Sequence, residues 1–127
     1  MKKIWIVDDD EEMIYAVRLM LKLLDCEVRH FFSAKVAAQA LFDGERPDLF
    51  ILDINMPGVS GIDFLEFIHR REDFANIPVV MLSTEAADVI VDHAIGLGAD
   101  AYVTKPVALE ELEAAMKKAF LAHGVNK

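Results

Sequence analysis

Six polar residues stand where short apolar runs end. Asp8 and Asp9 follow Ile4-Trp5-Ile6-Val7, and Asp53 follows Leu49-Phe50-Ile51-Leu52. Ser83 and Thr84 follow Val79-Val80-Met81-Leu82, and Lys105 follows Ala101-Tyr102-Val103-Thr104. A carboxylate, a divalent cation, a lysine and a hydroxyl around one point are what a transferring phosphoryl group requires. The carboxylate is the nucleophile, and cation and lysine neutralise charge on the equatorial oxygens. The reading depends on bringing these residues together, which is a question of the elements that carry them.

Strand-like and helix-like segments alternate five times. Ile4 to Val7 is a continuous apolar run, the pattern of a strand buried on both faces. Met13, Val17, Leu21 and Leu24 mark one side of a helix. Glu27 to Phe32 reads as a second strand, and Ala34 to Phe42 as a helix capped by Ser33. Leu49 to Leu52 is the third strand, followed by a helix over Ile62 to Arg71 with Phe64, Leu65 and Ile68 inward. Pro78 opens the fourth strand, Val79 to Leu82, and Ala86 to Leu97 reads as helix. Ala101 to Thr104 is the fifth strand. The last helix, Ala108 to Ala122, shows Leu109, Leu112, Met116 and Ala119 at helical spacing, with Gly124 as its stop.

Such alternation implies a parallel sheet covered by helices on both faces. Right-handed crossovers leave few topologies. The flavodoxin-like order 2-1-3-4-5, an α/β doubly wound fold with five helices, suits five units. That order makes strands 1 and 3 neighbours, about 4.8 Å apart. Asp8, Asp9 and Asp53 then crowd one space beyond the strand ends. Two carboxylates 4–5 Å apart repel by roughly 3–4 kcal/mol at an effective dielectric near 20. A proton or a cation must relieve this. Mg²⁺ suits few protein oxygens plus water and a phosphate.

Each residue alone has a simpler role. Asp8 to Glu12 can cap the first helix and complement its dipole, and Asp10 is expected to do so. Asp53 alone is an ordinary turn residue, and Lys105 before Pro106 a solvated loop lysine. Their joint placement at one sheet edge is what favours the chemical reading. The bulk properties agree. The chain has 127 residues, which suits one domain over residues 1–127, and 54% of them are hydrophobic. A formal net charge of −9 opposes binding to nucleic acid or anionic membrane surfaces. No apolar run approaches the roughly 18 residues that span a bilayer, so a cytoplasmic location is expected. Cys26 is the only cysteine and reads as a small apolar filler. His30, His69, His93 and His123 are too dispersed for a metal cluster.

At this point the sequence resembles the receiver domains of bacterial response regulators, over essentially its whole length. The matching segments are Ile6-Val7-Asp8-Asp9, Leu52 to Gly61 (LDINMPGVSG), Pro78 to Ser83, Gly98 to Tyr102, and Lys105-Pro106. The resemblance implies that Asp53 accepts a phosphoryl group from a histidine kinase or histidine-phosphotransfer protein. It implies that Asp9, Asp53 and the backbone carbonyl of Asn55 ligate Mg²⁺, with Asp8 holding a metal-bound water. Ser83 would hydrogen-bond a phosphoryl oxygen and Lys105 would pair with another. The Lys105–Pro106 bond resembles the family's cis bond. Tyr102 matches an aromatic switch position that turns inward once Ser83 moves. Phosphorylation would then remodel the surface of the fourth helix, fifth strand and fifth helix, which meets a downstream protein or output domain. Slow hydrolysis of the phosphoaspartate completes the cycle, so the expectation is a switch rather than a turnover enzyme.

Thr84 departs from the pattern, because the family usually has Ala or Gly there. A β-branched residue is expected to narrow access and to slow phosphorylation or self-dephosphorylation. The last helix has no arginine, so the charged dimer network of the DNA-binding subfamily is not evident, and a phosphorylation-dependent dimer stays open. Three rival readings are weaker. An aspartyl-phosphate phosphatase lacks its second carboxylate and cap domain. A flavodoxin would not carry Asp8-Asp9-Asp10-Glu11-Glu12 where a flavin phosphate sits. A receiver that is only an interaction module would not need every phosphorylation residue. The sequence does not distinguish a stand-alone receiver from part of a longer protein.

Overall fold

The structure is a computed structural model that describes residues 1–125. Its elements alternate as β1 (Lys2–Val7), α1 (Glu11–Leu23), β2 (Cys26–Phe31), α2 (Ala34–Phe42), β3 (Leu49–Asp53), α3 (Gly61–Arg70), β4 (Val79–Ser83), α4 (Asp88–Gly96), β5 (Ala101–Thr104) and α5 (Leu109–Ala122). The five strands form one parallel sheet in the order β2-β1-β3-β4-β5. This is the flavodoxin-like order expected from the sequence. Among the described residues no helix is long and apolar enough to cross a membrane.

Alternation along each strand divides the interior in two. Ile4, Ile6, Leu49, Ile51, Val80 and Leu82 face α1 and α5. Trp5, Val7, Phe50, Leu52, Val79 and Met81 face the other way, against α2, α3 and Ala94 of α4. Every residue of β3 and β4 is buried, as a central strand covered on both faces requires. β2 lies at the edge and exposes Glu27, Arg29 and His30, charges that discourage edge-to-edge pairing.

Three helices begin on side-chain caps. The Asp10 carboxylate accepts from the backbone N–H of Glu12 and Met13, at 3.0 and 3.3 Å. Ser33 caps α2 and Ser60 caps α3. Gly124, with φ at +78°, follows the end of α5 in the left-handed region that favours glycine. Cys26 is buried, and that burial, reinforced by the Asp25 charge, raises its thiol pKa. It is a packing residue.

The structure shifts several boundaries. β1 begins at Lys2 rather than Ile4, because Lys2 and Lys3 pair with Cys26 and Glu27 along β2. β2 accordingly runs from Cys26 to Phe31. In α1 the buried side is Ile14, Val17 and Leu21; Met13 is half-buried and Leu24 caps the helix. α4 starts at Asp88, two residues later than expected, on an Ala87 cap that offers no side-chain hydrogen bond. In α5 Leu109 is half-buried, and Leu112, Ala115, Met116, Ala119 and Phe120 form the buried side.

Candidate functional site

The register assembles the polar strand ends. Val7 pairs with Leu52, so Asp8 and Asp53 leave adjacent strands side by side. Carboxylate oxygens of Asp8, Asp9 and Asp53 lie within 4.8 Å of one another. Asp8 and Asp53 are buried, at 1% and 5% exposure, while Asp9 faces solvent. Lys105 arrives from beyond β5. Its Nζ donates to Asp53 Oδ1 at 3.1 Å and to Asp8 Oδ2 at 3.3 Å. The Lys105–Pro106 bond is cis. The backbone N–H of Lys105 donates to the Ser83 carbonyl at 2.8 Å, which ties this loop to the end of β4.

One ammonium faces three carboxylates, so the site carries an excess of about two negative charges. Burial, and then the Asp8 charge, push the Asp53 carboxyl up from 3.8 to about 6, against the opposing pull of Lys105. The Lys105 ammonium is raised above its ordinary value: burial acts to lower it, but the charges of Asp8 and Asp53 outweigh that. An all-oxygen donor set with two uncompensated charges fits a hard divalent cation.

Ser83 is fully buried, and its Oγ accepts from the backbone N–H of Glu85 at 3.1 Å. The Tyr102 hydroxyl donates to the Glu85 carbonyl at 2.6 Å. Burial raises the Tyr102 phenol pKa. Serine, tyrosine and the first turn after β4 are thus linked through the main chain of one residue, Glu85, whose N–H and carbonyl belong to successive peptide groups. Asn55 is exposed just beyond Asp53, and Thr84 is exposed beside Ser83.

Sequence reasoning missed two participants. Glu85 acts through its main chain, which leaves no mark on residue type. Gly61 opens α3 with its N–H donating to the Ile54 carbonyl at 3.0 Å. A Cβ there would stand 1.9 Å from the Asp53 carbonyl oxygen, so only glycine lets α3 press against the backbone that aims Asp53. Its place in the Leu52–Gly61 segment was visible, but this packing reason was not.

Comparison with known proteins agrees with this geometry. Residues 4–117 match the response regulator receiver domain family, and the chain belongs to that family. It is 36% identical over 115 residues to the regulatory protein VanR of Enterococcus faecium, covering 91% of this chain and 48% of that protein. It is 32% identical over 116 residues to the phosphate regulon transcriptional regulatory protein PhoB of Pseudomonas aeruginosa, covering 91% and 50%. The chain therefore spans about half the length of these curated relatives. Among solved structures, the chemotaxis protein CheY4 of Vibrio cholerae superposes with a TM-score of 0.83 at 27% identity, covering 94% of this chain and 98% of that one. A CheY-like receiver domain protein of Methanospirillum hungatei superposes with a TM-score of 0.85 at 26% identity, covering 98% and 97%. The chain is a receiver domain of two-component signalling, a class of switches rather than turnover enzymes.

Proposed function

We propose that this receiver, spanning residues 1–127, accepts a phosphoryl group on Asp53 from a histidine kinase or histidine-phosphotransfer protein. The observation that carries the reading is the buried Asp53 carboxylate, held at a strand end between Asp8 and Lys105. Lys105 engages one oxygen of Asp53, which leaves the other to attack phosphorus. The new O–P bond forms as the donor's N–P bond breaks, and the electron pair stays on the imidazole nitrogen. With its carboxyl pKa at about 6, Asp53 is mostly ionised at neutral pH even without a cation, so it is a competent nucleophile. Lys105 neutralises charge on one phosphoryl oxygen. Asp9, Asp53 and the Asn55 carbonyl are the groups that would hold Mg²⁺, with Asp8 orienting a coordinated water. When bound, that cation supplies charge neutralisation at the phosphoryl oxygens.

Signalling follows from the links around Ser83. A Ser83 hydroxyl that moves to donate its hydrogen to a phosphoryl oxygen lengthens or loses the bond its oxygen accepts from the Glu85 N–H. Tyr102 holds the carbonyl of the same residue. α4, next along the chain, is lightly anchored: Ala94 is its only buried residue and no side chain caps it. A shift at Ser83 and Tyr102 therefore biases the surface made by α4, β5 and α5, toward a downstream protein or output domain.

The test is incubation with acetyl phosphate and Mg²⁺, with and without EDTA, read by intact mass. The expected result is a single phosphoryl adduct that needs Mg²⁺ and is absent in Asp53→Asn. An adduct that persists in Asp53→Asn would overturn the assignment.

A further inference from the structure

The outer side of α2 mixes apolar and charged residues. Val36 and Phe42 are each 55% exposed. Between α2 and α3 lies a groove of about 260 Å³, lined by Ala34, Ala38, Phe42, Val59, Phe64 and Phe67. Lys35 is exposed at its rim and makes no ion pair among the described residues. Asp43 ends the helix, exposed, and among the described residues only the Gln39 side-chain amide donates to its carboxylate, at 3.1 Å. None of these residues belongs to the phosphorylation site.

Their order along the helix is symmetric. Lys35 lies four residues before Gln39 and Asp43 four after. Val36 lies three before and Phe42 three after. At a rise of about 1.5 Å per residue, these pairs sit about 6 Å and about 4.5 Å either side of Gln39. All five positions are exposed and share one side of the helix. We infer that α2 pairs antiparallel with α2 of a second copy of this chain, about a two-fold axis at Gln39. Lys35 of each copy then lies level with Asp43 of its partner. Phe42 packs on Phe67 and Phe74 of its own copy, and its exposed edge comes level with the stretch between Ala34 and Ala38 of its partner, at the mouth of the groove there.

Charge selects this occupant. A two-fold contact is self-complementary, and here the charged positions match only in the antiparallel sense. A parallel pairing would set lysine on lysine and aspartate on aspartate. The patch is neutral, so the net charge of −9 opposes association only at long range, where salt near 0.15 M screens it within about 8 Å. Nine residues make a helix only about 13 Å long. The contact falls short of the roughly 1,200 Å² of a lasting interface, so the dimer is weak and in rapid exchange. It forms at the β2 edge of the sheet, away from β5, and leaves the α4–β5–α5 surface uncovered. It therefore does not require phosphorylation.

The experiment is sedimentation velocity of the whole chain across concentrations up to about 1 mM. Wild type and Asp53→Asn should associate alike. Lys35→Asp and Asp43→Lys should each weaken association about tenfold or more, because each turns two attractions into repulsions. Mixing the two variants should restore it, because every charge pair between copies is then opposite in sign. Both substitutions lie on exposed positions, and circular dichroism checks that each variant is folded. Monomers at every wild-type concentration would overturn the proposal and leave the face to a different protein. Association that ignores either substitution, a mixture that stays monomeric, or a dimer confined to the phosphorylated form would overturn it as well.

Discussion

Asp53→Asn should make the protein more stable when no divalent cation is present. The reasoning starts from the carboxyl pKa, raised from 3.8 to about 6 by burial and by Asp8. A raised folded-state value means the native state holds the proton more tightly than the unfolded chain does. The stability this contributes is complete below about pH 3.8 and is lost as pH rises through about 6. At neutral pH the ionised carboxylate therefore costs the fold about 3 kcal/mol relative to its protonated form. Asparagine is close in shape, cannot ionise, and still offers an oxygen to Lys105. It should recover most of that, about 2–3 kcal/mol.

The assay is urea unfolding in EDTA, repeated between about pH 4 and pH 8. A slope of about 1–3 kcal/mol per molar for small proteins converts the gain into a midpoint shift of about 0.7–3 M near neutral pH. Other carboxylates titrate in this range too, so the diagnostic quantity is the gap between variant and wild type. That gap should close as pH falls from about 6 to about 4. Adding Mg²⁺ should close it from the other side, by stabilising wild type selectively. A gap that is absent at neutral pH, or that is the same at both ends of the range, would refute the account of the site as electrostatically overloaded.

Three further substitutions probe the same architecture. Lys105→Met removes the only cation within bonding distance of Asp8 and Asp53 among the described residues; urea unfolding should show a loss of about 3 kcal/mol in EDTA, and intact mass a slower adduct with acetyl phosphate. Gly61→Ala drives a Cβ to 1.9 Å from the Asp53 carbonyl, so its midpoint should fall by the equivalent of about 1–3 kcal/mol, with adduct formation lowered as Asp53 is displaced. Thr84→Ala should raise the rate of phosphorylation or of phosphoaspartate loss, followed by mass against time, because it removes a branched side chain beside Ser83; unchanged kinetics would refute that role.

What was legible in the sequence and what was not divides along a physical line. The positions of Asp8, Asp9, Asp53, Ser83 and Lys105 could be read because apolar runs end abruptly at each of them. Strand order then followed from handedness, and with it the meeting of Asp8 and Asp53. Helix caps at Asp10 and Ser33 were readable because capping depends on side-chain chemistry. The errors arose where side chains do not decide. β1 extends back to Lys2 because the β2 ladder holds its backbone, whatever lysine prefers. α4 starts late because Ala86 and Ala87 give no stop or start signal of their own.

The same line runs through the site. The proposed nucleophile Asp53 and its neighbours Asp8, Asp9, Ser83 and Lys105 act through side chains, which the sequence names. The groups that hold those side chains in place are main-chain groups: the N–H and carbonyl of Glu85, bonded to Ser83 and Tyr102, and the Asp53 backbone, pressed by Gly61. Every residue carries the same amide and carbonyl, so their roles become visible only when the fold sets them beside a hydroxyl or a helix start. A switch needs this second set as much as the first. Phosphoryl chemistry alone would change Asp53 and nothing else. The Ser83 oxygen carries the Glu85 N–H, so in the proposed switch a Ser83 side chain that moves to donate its hydrogen to a phosphoryl oxygen would load the turn that leads into α4, the helix with the fewest anchors to resist.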